Sequence, residues 1–261
     1  MGALDLRGVL RLVDQDRVRL LTLDRADALN AFNDDLYDAV RDALLDAERR
    51  ADVAVVVVTG AGRAFSAGQD LGEMETPRRH EDGRRHGFDP FIEVVEAFSK
   101  PLVAAVNGIG VGIGLTLLPH CDLVLMADGA RLRAPFVSLG VTVEAGNSAL
   151  LPARIGWQQA AHLLYTAEWL DAAGALDCGL AWRVCAADAL LDEALAVARA
   201  IAVMPVDSLV ATKKLLVEAR LDAVRAARER EVRHFAALLG GPANREALAA
   251  FRERRPPDFT S

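Results

Sequence analysis

Scarce cysteine, scarce lysine and the absence of any long apolar run set the first limits on this chain. Its three cysteines, Cys121, Cys178 and Cys185, form no CxxC pair and are odd in number. Neither a disulfide framework nor a zinc cluster is therefore expected, and the thiols should be reduced core or helix residues. Positive charge is not in excess. Lys and Arg total 30 against 37 Asp and Glu, a formal net charge of −7, and almost all the cations are Arg. General nucleic-acid binding is thereby disfavoured, because phosphate-backbone affinity needs concentrated cations, and any anionic ligand must be met by local ones. No uninterrupted apolar stretch reaches the roughly eighteen residues of a membrane span. The N-terminal MGALDLRGVLRLVDQD mixes acids and bases where a signal peptide needs an apolar run, so a cytoplasmic protein without a membrane partner is expected.

What the chain does have is apolar content: 52% hydrophobic residues over 261 positions, enough for one large domain or a domain with an appendage. Val9–Val13 and Val18–Leu23, separated by Asp14-Gln15-Asp16-Arg17, predict a β-hairpin. Asn33 is placed to cap a helix from about Asp34 to Arg50, with Leu36, Val40, Leu44 and Leu45 on one face. VAVVVVT (Val53–Thr59) shows no polar alternation, as expected of a strand covered on both faces, and Gly60-Ala61-Gly62 ends it. Further apolar runs, Pro101–Val106 and Asp122–Met126, bracket a glycine-rich segment and a short helix ending near Pro119, so an α/β class follows. The charged RRHEDGRRHG (Arg78–Gly87) reads as a mobile exposed loop. From about Gly156 the pattern is helical: Gln158–Tyr165, Asp171–Cys178, Ala189–Val203, Val206–Ala219 and Asp222–Arg254. The expected organisation is an α/β core over 1–200 and a helical region over 201–261.

Two loops carry the chemistry. TGAGRAFSAGQDLGEM (Thr59–Met74) leaves a buried strand through small residues that let a ligand approach the backbone, then meets an acid. AAVNGIGVGIGLTLLPHCD (Ala104–Asp122) alternates glycine at 108, 110, 112 and 114 before a helix, whose N-terminal N–H groups would favour negative charge. A dinucleotide-binding GxGxxG does not fit, because the frame from Gly108 meets Ile113 and the frame from Gly110 meets Leu115.

AGRAFSAGQDLGEM, KPLVAAVNGIGVGIG and CDLVLMAD, in this order and spacing, resemble the crotonase (enoyl-CoA hydratase/isomerase) superfamily. LDRADALNAFN, DAAGALDCGLAWRV and the tail AFRERRPPDF extend the likeness over nearly the whole chain. The resemblance implies a ββα spiral core with a C-terminal helical trimerisation region, assembled as a homotrimer or homohexamer. It also implies an acyl-CoA thioester substrate, no metal and no separate cofactor. Its thioester carbonyl would be held by two backbone N–H groups, which motif position assigns to Ala67 and Ile113; the family usually has glycine at the second, so the Ile113 side chain must point away.

Hydratases of this family use two glutamates, and the matching positions here hold Thr116 and Phe136. Neither exchanges a proton near neutral pH, which argues against ordinary hydration. Glu144, beside Gly146 in FVSLGVTVEAGNSALLP, is the carboxylate on offer, and the arrangement resembles the peroxisomal-type Δ3,Δ2-enoyl-CoA isomerases. An apolar pocket of Leu115, Phe136 and Leu139 would raise its pKa. The resemblance further implies substrate contacts from Ala64, Phe65, Ser66, Gly68, Gln69, Asp70, Leu71, Gly112 and Thr116, with Asp70 also read as a helix cap. CoA phosphates would meet Arg25 and, from a neighbouring subunit, Arg254 beside Phe251. Besides isomerisation, two readings remain: a hydratase or related lyase with another base, and a silent acyl-CoA binder.

Overall fold

In the computed structural model, which describes residues 4–75 and 80–260, the chain opens with β1 (Leu4–Leu6), β2 (Leu10–Gln15) and β3 (Val18–Leu23), all antiparallel. Asp16 and Arg17, with φ of 52° and 63°, make the two-residue turn whose hand matches strand twist, so the expected hairpin is present. Next comes α1 (Asp34–Arg49), capped by Asn33, whose Oδ1 accepts the Leu36 N–H at 3.0 Å. Leu36, Val40 and Leu44 are buried along it, while Leu45 is only half-buried.

The centre of the molecule repeats one move three times. β4 (Val55–Gly60) is followed by the short β5 (Ala64–Ser66), and helices α2 (Leu71–Glu75) and α3 (Phe88–Ala97) come next. Then β6 (Leu102–Val106) is followed by β7 (Ile109–Val111) and α4 (Ile113–Thr116), and β8 (Leu123–Ala127) by β9 (Arg131–Arg133). The first strand of each pair joins a seven-stranded sheet, ordered β1-β2-β3-β4-β6-β8 and closed by the later β11 (Arg183–Cys185). The second joins a four-stranded sheet in which β5, β7 and β9 are neighbours, with β10 (Trp169–Asp171) at the edge. Successive turns therefore climb in one direction, the ββα spiral expected of the fold. Val55, Val56, Val57 and Val103 to Val106 are fully buried, which is why β4 and β6 carry no polar alternation.

After a one-turn helix at Val137–Leu139 come α5 (Asn147–Ile155), α6 (Trp157–Thr166), α7 (Ala172–Asp177), α8 (Leu190–Ala202), α9 (Val206–Leu238) and α10 (Pro242–Glu253). Three sequence expectations need correction. The helices expected over 206–219 and 222–254 are divided elsewhere, since α9 runs unbroken for 33 residues and the break falls at Gly240-Gly241-Pro242, where glycine and proline stop a helix. α3 was not expected. And although Arg78 and Arg79 lie outside the described residues, Glu81–Arg85 is exposed as expected, but the loop is anchored at both ends: His80 Nε2 meets Asp34 at 2.7 Å, and both nitrogens of His86 bind acids, Asp38 and Asp82.

Candidate active site

Both glycine-rich loops touch. Gly68, at φ +100°, lies so close to the neighbouring loop that a Cβ there would stand 3.0 Å from the Val111 carbonyl, and one on Gly112 would stand 3.8 Å from Gly68 Cα. At Gly68 a side chain would be both crowded and strained, whereas at Gly112 there is room for one and it is the φ of +53° that favours glycine. Immediately after the two glycines come Gln69 and Ile113, and neither backbone N–H has an acceptor among the described residues. Ile113 opens α4, where first-turn N–H groups have no partner within the helix, and its side chain is buried in the core, pointing away as required.

Ala67, by contrast, is already committed: its N–H donates to Leu29 O at 2.9 Å. The geometry thus moves the first free donor from Ala67 to Gln69. Gln69 is held from its side chain, because Oε1 accepts the Tyr37 hydroxyl at 2.8 Å. Tyr37 in turn packs in a cluster with Phe32, Phe88 and Phe91. Burial raises the Tyr37 hydroxyl well above its ordinary pKa, and the charge of Glu144 adds to the rise, so the two groups share one environment.

Glu144 lies on the turn before α5, where Ala145 and Gly146 take φ of 61° and 71°. Its carboxylate faces a cavity of about 210 Å³ walled by Phe88, Val143, Val232, Phe235 and Leu239, with Arg228 and Glu231 at the polar side. The Thr116 hydroxyl donates to Oε1 at a long 3.4 Å. Burial lifts the carboxyl to a pKa of about 7, Thr116 pulls it down, and the neighbouring Glu231 pushes it up. Beneath the turn, buried His120 donates from Nε2 to Ala145 O at 2.8 Å and is held neutral by burial, with a pKa pushed down to about 4.

The remaining expected site residues divide. Thr116 stands beside Glu144, and Gly68, Gln69 and Gly112 meet at the loop contact. Leu115, Phe136 and Leu139 do not line the cavity; Leu115 is fully buried and Phe136 nearly so, and α3 and α9 supply the apolar wall instead. Ala64, Phe65 and Ser66 are buried in β5, where the Ala64 carbonyl is already occupied by the amides of Asn30 (2.8 Å) and Asn107 (3.2 Å). Ser66 Oγ accepts the Gly68 N–H at 3.1 Å and so shapes the loop. Arg25 is not a free phosphate cation, since it pairs with Asp70 at 2.9 Å. Asp70 also accepts the Gly72 N–H at 3.1 Å, capping the helix that Leu71 begins. Phe251 and Arg254 are exposed at the end of α10 and take no part in this cavity. Missed by sequence reasoning were Phe88, Val232, Phe235, Leu239 and Glu231. The signal for three of them was present: Val232, Phe235 and Leu239 recur at helical spacing after the charged run Arg228–Glu231.

A spiral of strand pairs carries two N–H groups without acceptors at a glycine contact and, linked to them through Thr116 on α4 and through the Tyr37–Gln69 hydrogen bond, a carboxylate in an apolar cavity. The enoyl-CoA hydratase/isomerase sequence profile matches residues 14–261. A probable enoyl-CoA hydratase, echA8, of Mycobacterium bovis is 34% identical over 209 residues, 80% of this chain and 81% of that protein. A 1,2-epoxyphenylacetyl-CoA isomerase of Escherichia coli is 32% identical over 220 residues, covering 82% and 83%. The crystal structure of an enoyl-CoA hydratase/isomerase from Pseudoalteromonas atlantica superposes with a TM-score of 0.93 at 35% identity, covering 97% of this chain and all of that one. The chain belongs to the enoyl-CoA hydratase/isomerase, or crotonase, family and is an enzyme of that family; an acyl-CoA thioester is the substrate class the family implies.

Proposed function

We propose that the enzyme converts 3-enoyl-CoA thioesters to 2-enoyl-CoA thioesters with Glu144 as the one acid–base group. The observation that carries this reading is Glu144, a carboxylate that burial poises near neutral pH in an apolar cavity, beside a Thr116 that cannot titrate; of the other carboxylates lining the cavity, Glu231 already accepts two backbone N–H groups and Asp89 is exposed. Ionised Glu144 takes a proton from C2. The electron pair spreads over the thioester oxygen and C4, and the negative oxygen is received by the N–H groups of Gln69 and Ile113. Protonated Glu144 then delivers the proton to C4, leaving the double bond between C2 and C3. Each preorganised donor of this kind is worth roughly 10²–10³ in rate.

Hydration is the second reading, favoured by the hydratase names of relatives such as the M. bovis protein. It needs a second group to activate water. Glu231 and Asp89 line the same cavity, but both oxygens of Glu231 hold backbone N–H groups of the Glu144 turn and Asp89 is exposed. The test is to incubate the enzyme with trans-3-enoyl-CoA and separate the products: accumulation of the 2-enoyl thioester supports isomerisation. Binding without turnover would instead make the protein a silent acyl-CoA binder.

A further inference from the structure

Glu231, on α9, reaches the turn that carries Glu144. Its Oε2 accepts the Gly146 N–H and its Oε1 the Ser148 N–H, each at 2.7 Å. These donors belong to the start of α5, which has no side-chain cap of its own, so a distant helix supplies what a local N-cap residue normally supplies. Glu231 is only 5% exposed, and a charged acceptor out of bulk water makes stronger bonds than an exposed one. α9 closes on the same turn at Val224, whose Cγ1 would stand 2.6 Å from a Cβ on Gly146. From the opposite side His120 Nε2 holds Ala145 O, and Asn147 Nδ2 reaches the Thr116 and Glu144 carbonyls at 2.9 and 3.2 Å.

We infer that Glu231 is a positioning residue for Glu144: gripping the first turn of α5 with both oxygens, it fixes the Ala145–Gly146 turn and so aims the Glu144 carboxylate into the cavity. This inference rests on the reading of Glu144 as the base. The role assigned to Glu231 is to hold rather than to move a proton: each oxygen accepts one backbone N–H of the turn, and burial raises its own pKa above the ordinary carboxylate value. Its charge nevertheless acts on Glu144 across the shared cavity and makes that group hold its proton more tightly. The other groups facing Glu144 there are the Thr116 hydroxyl on α4, Arg228 on α9, Asp89 on α3 and the Tyr37 hydroxyl on α1, with His120 neutral behind the turn.

Two variants of the full chain separate the grip from the charge. Glu231→Gln removes the charge and can accept only one of the two N–H groups; Glu231→Asp keeps the charge but is too short to hold both. The ionisation of Glu144 is followed by NMR of carboxyl-labelled glutamate, assigned with Glu144→Gln, and turnover of trans-3-enoyl-CoA is measured in parallel. Both variants should lose at least about tenfold in kcat with KM changed less than about twofold, the scale of a misaimed catalytic group. In Glu231→Gln alone, the Glu144 midpoint and the acid limb of kcat should move to lower pH. A purely structural role would lower kcat in both variants and leave the Glu144 midpoint in place, which would overturn the inference. So would unchanged kcat in both. Should Glu231→Gln fail to fold, Glu231→Asp still tests the grip. If the unmodified enzyme turns over no 3-enoyl-CoA, the functional reading fails, while the NMR comparison still decides whether Glu231 governs Glu144.

Discussion

At the scale of single residues, the proposed chemistry turns on where Glu144 holds its proton. A base whose pKa lies at about 7 is half ionised near neutrality, the condition under which proton removal and return are both efficient. Isomerase kcat should therefore rise with pH through about 7, and a flat profile from pH 5 to 9 would contradict the assignment. Glu144→Gln should keep acyl-CoA affinity and lower turnover by at least about 10²-fold, the contribution of a general base. The same residue gives a stability prediction. Folding raises its pKa from 4.5 to about 7, so the folded state holds the proton more tightly and the penalty for a buried charge is absent below about pH 4.5 and complete above about 7. Glu144→Gln, with no charge to bury, should then be more stable than the parent at pH 8 by about 1–3 kcal/mol and equal to it near pH 4.5, as read from denaturant unfolding.

Elements explain how that carboxylate is held and why part of the arrangement was hidden in the sequence. Gly146 combines φ +71° with a backbone packed against Val224, so Gly146→Ala should cost about 1–3 kcal/mol of stability and lower turnover as the Glu144 turn is displaced. An unchanged midpoint of unfolding would show that α9 does not clamp this turn. The hairpin, α1, β4 and β6 were legible because each carries a clear period or an unbroken apolar run. The second sheet was not, since its strands have three residues each, too few for any period to register. Glu144 and Ile113 could be singled out from motif position. Gln69 could not be told from Ala67, because the motif does not show which N–H is already spent on Leu29 O, a residue far back in the chain. The cavity wall was likewise assigned to nearby loops, although α9 supplies it by folding back from the C-terminal region.

For the whole molecule, the exposed Trp157, Tyr165, Val203, Leu215, Leu216 and Phe251 leave substantial apolar surface on one chain. We expect copies to cover it in a trimer, or a pair of trimers, and light scattering at micromolar concentration should give a mass of three or six chains; a stable monomer would count against this. What the enzyme does to its substrate is decided by one comparison. If Thr116 and Phe136 occupy the positions of the hydratase glutamates, as the family resemblance implies, then with Glu231 holding two N–H groups and Asp89 exposed, Glu144 would have to activate water and also deliver the proton at C2. The direct measurement is kcat for hydration of crotonyl-CoA beside kcat for isomerisation of a 3-enoyl-CoA, both at saturation. Hydration should be far the slower, and a hydration turnover equal to or above isomerisation would contradict the assignment of Glu144 as the one acid–base group.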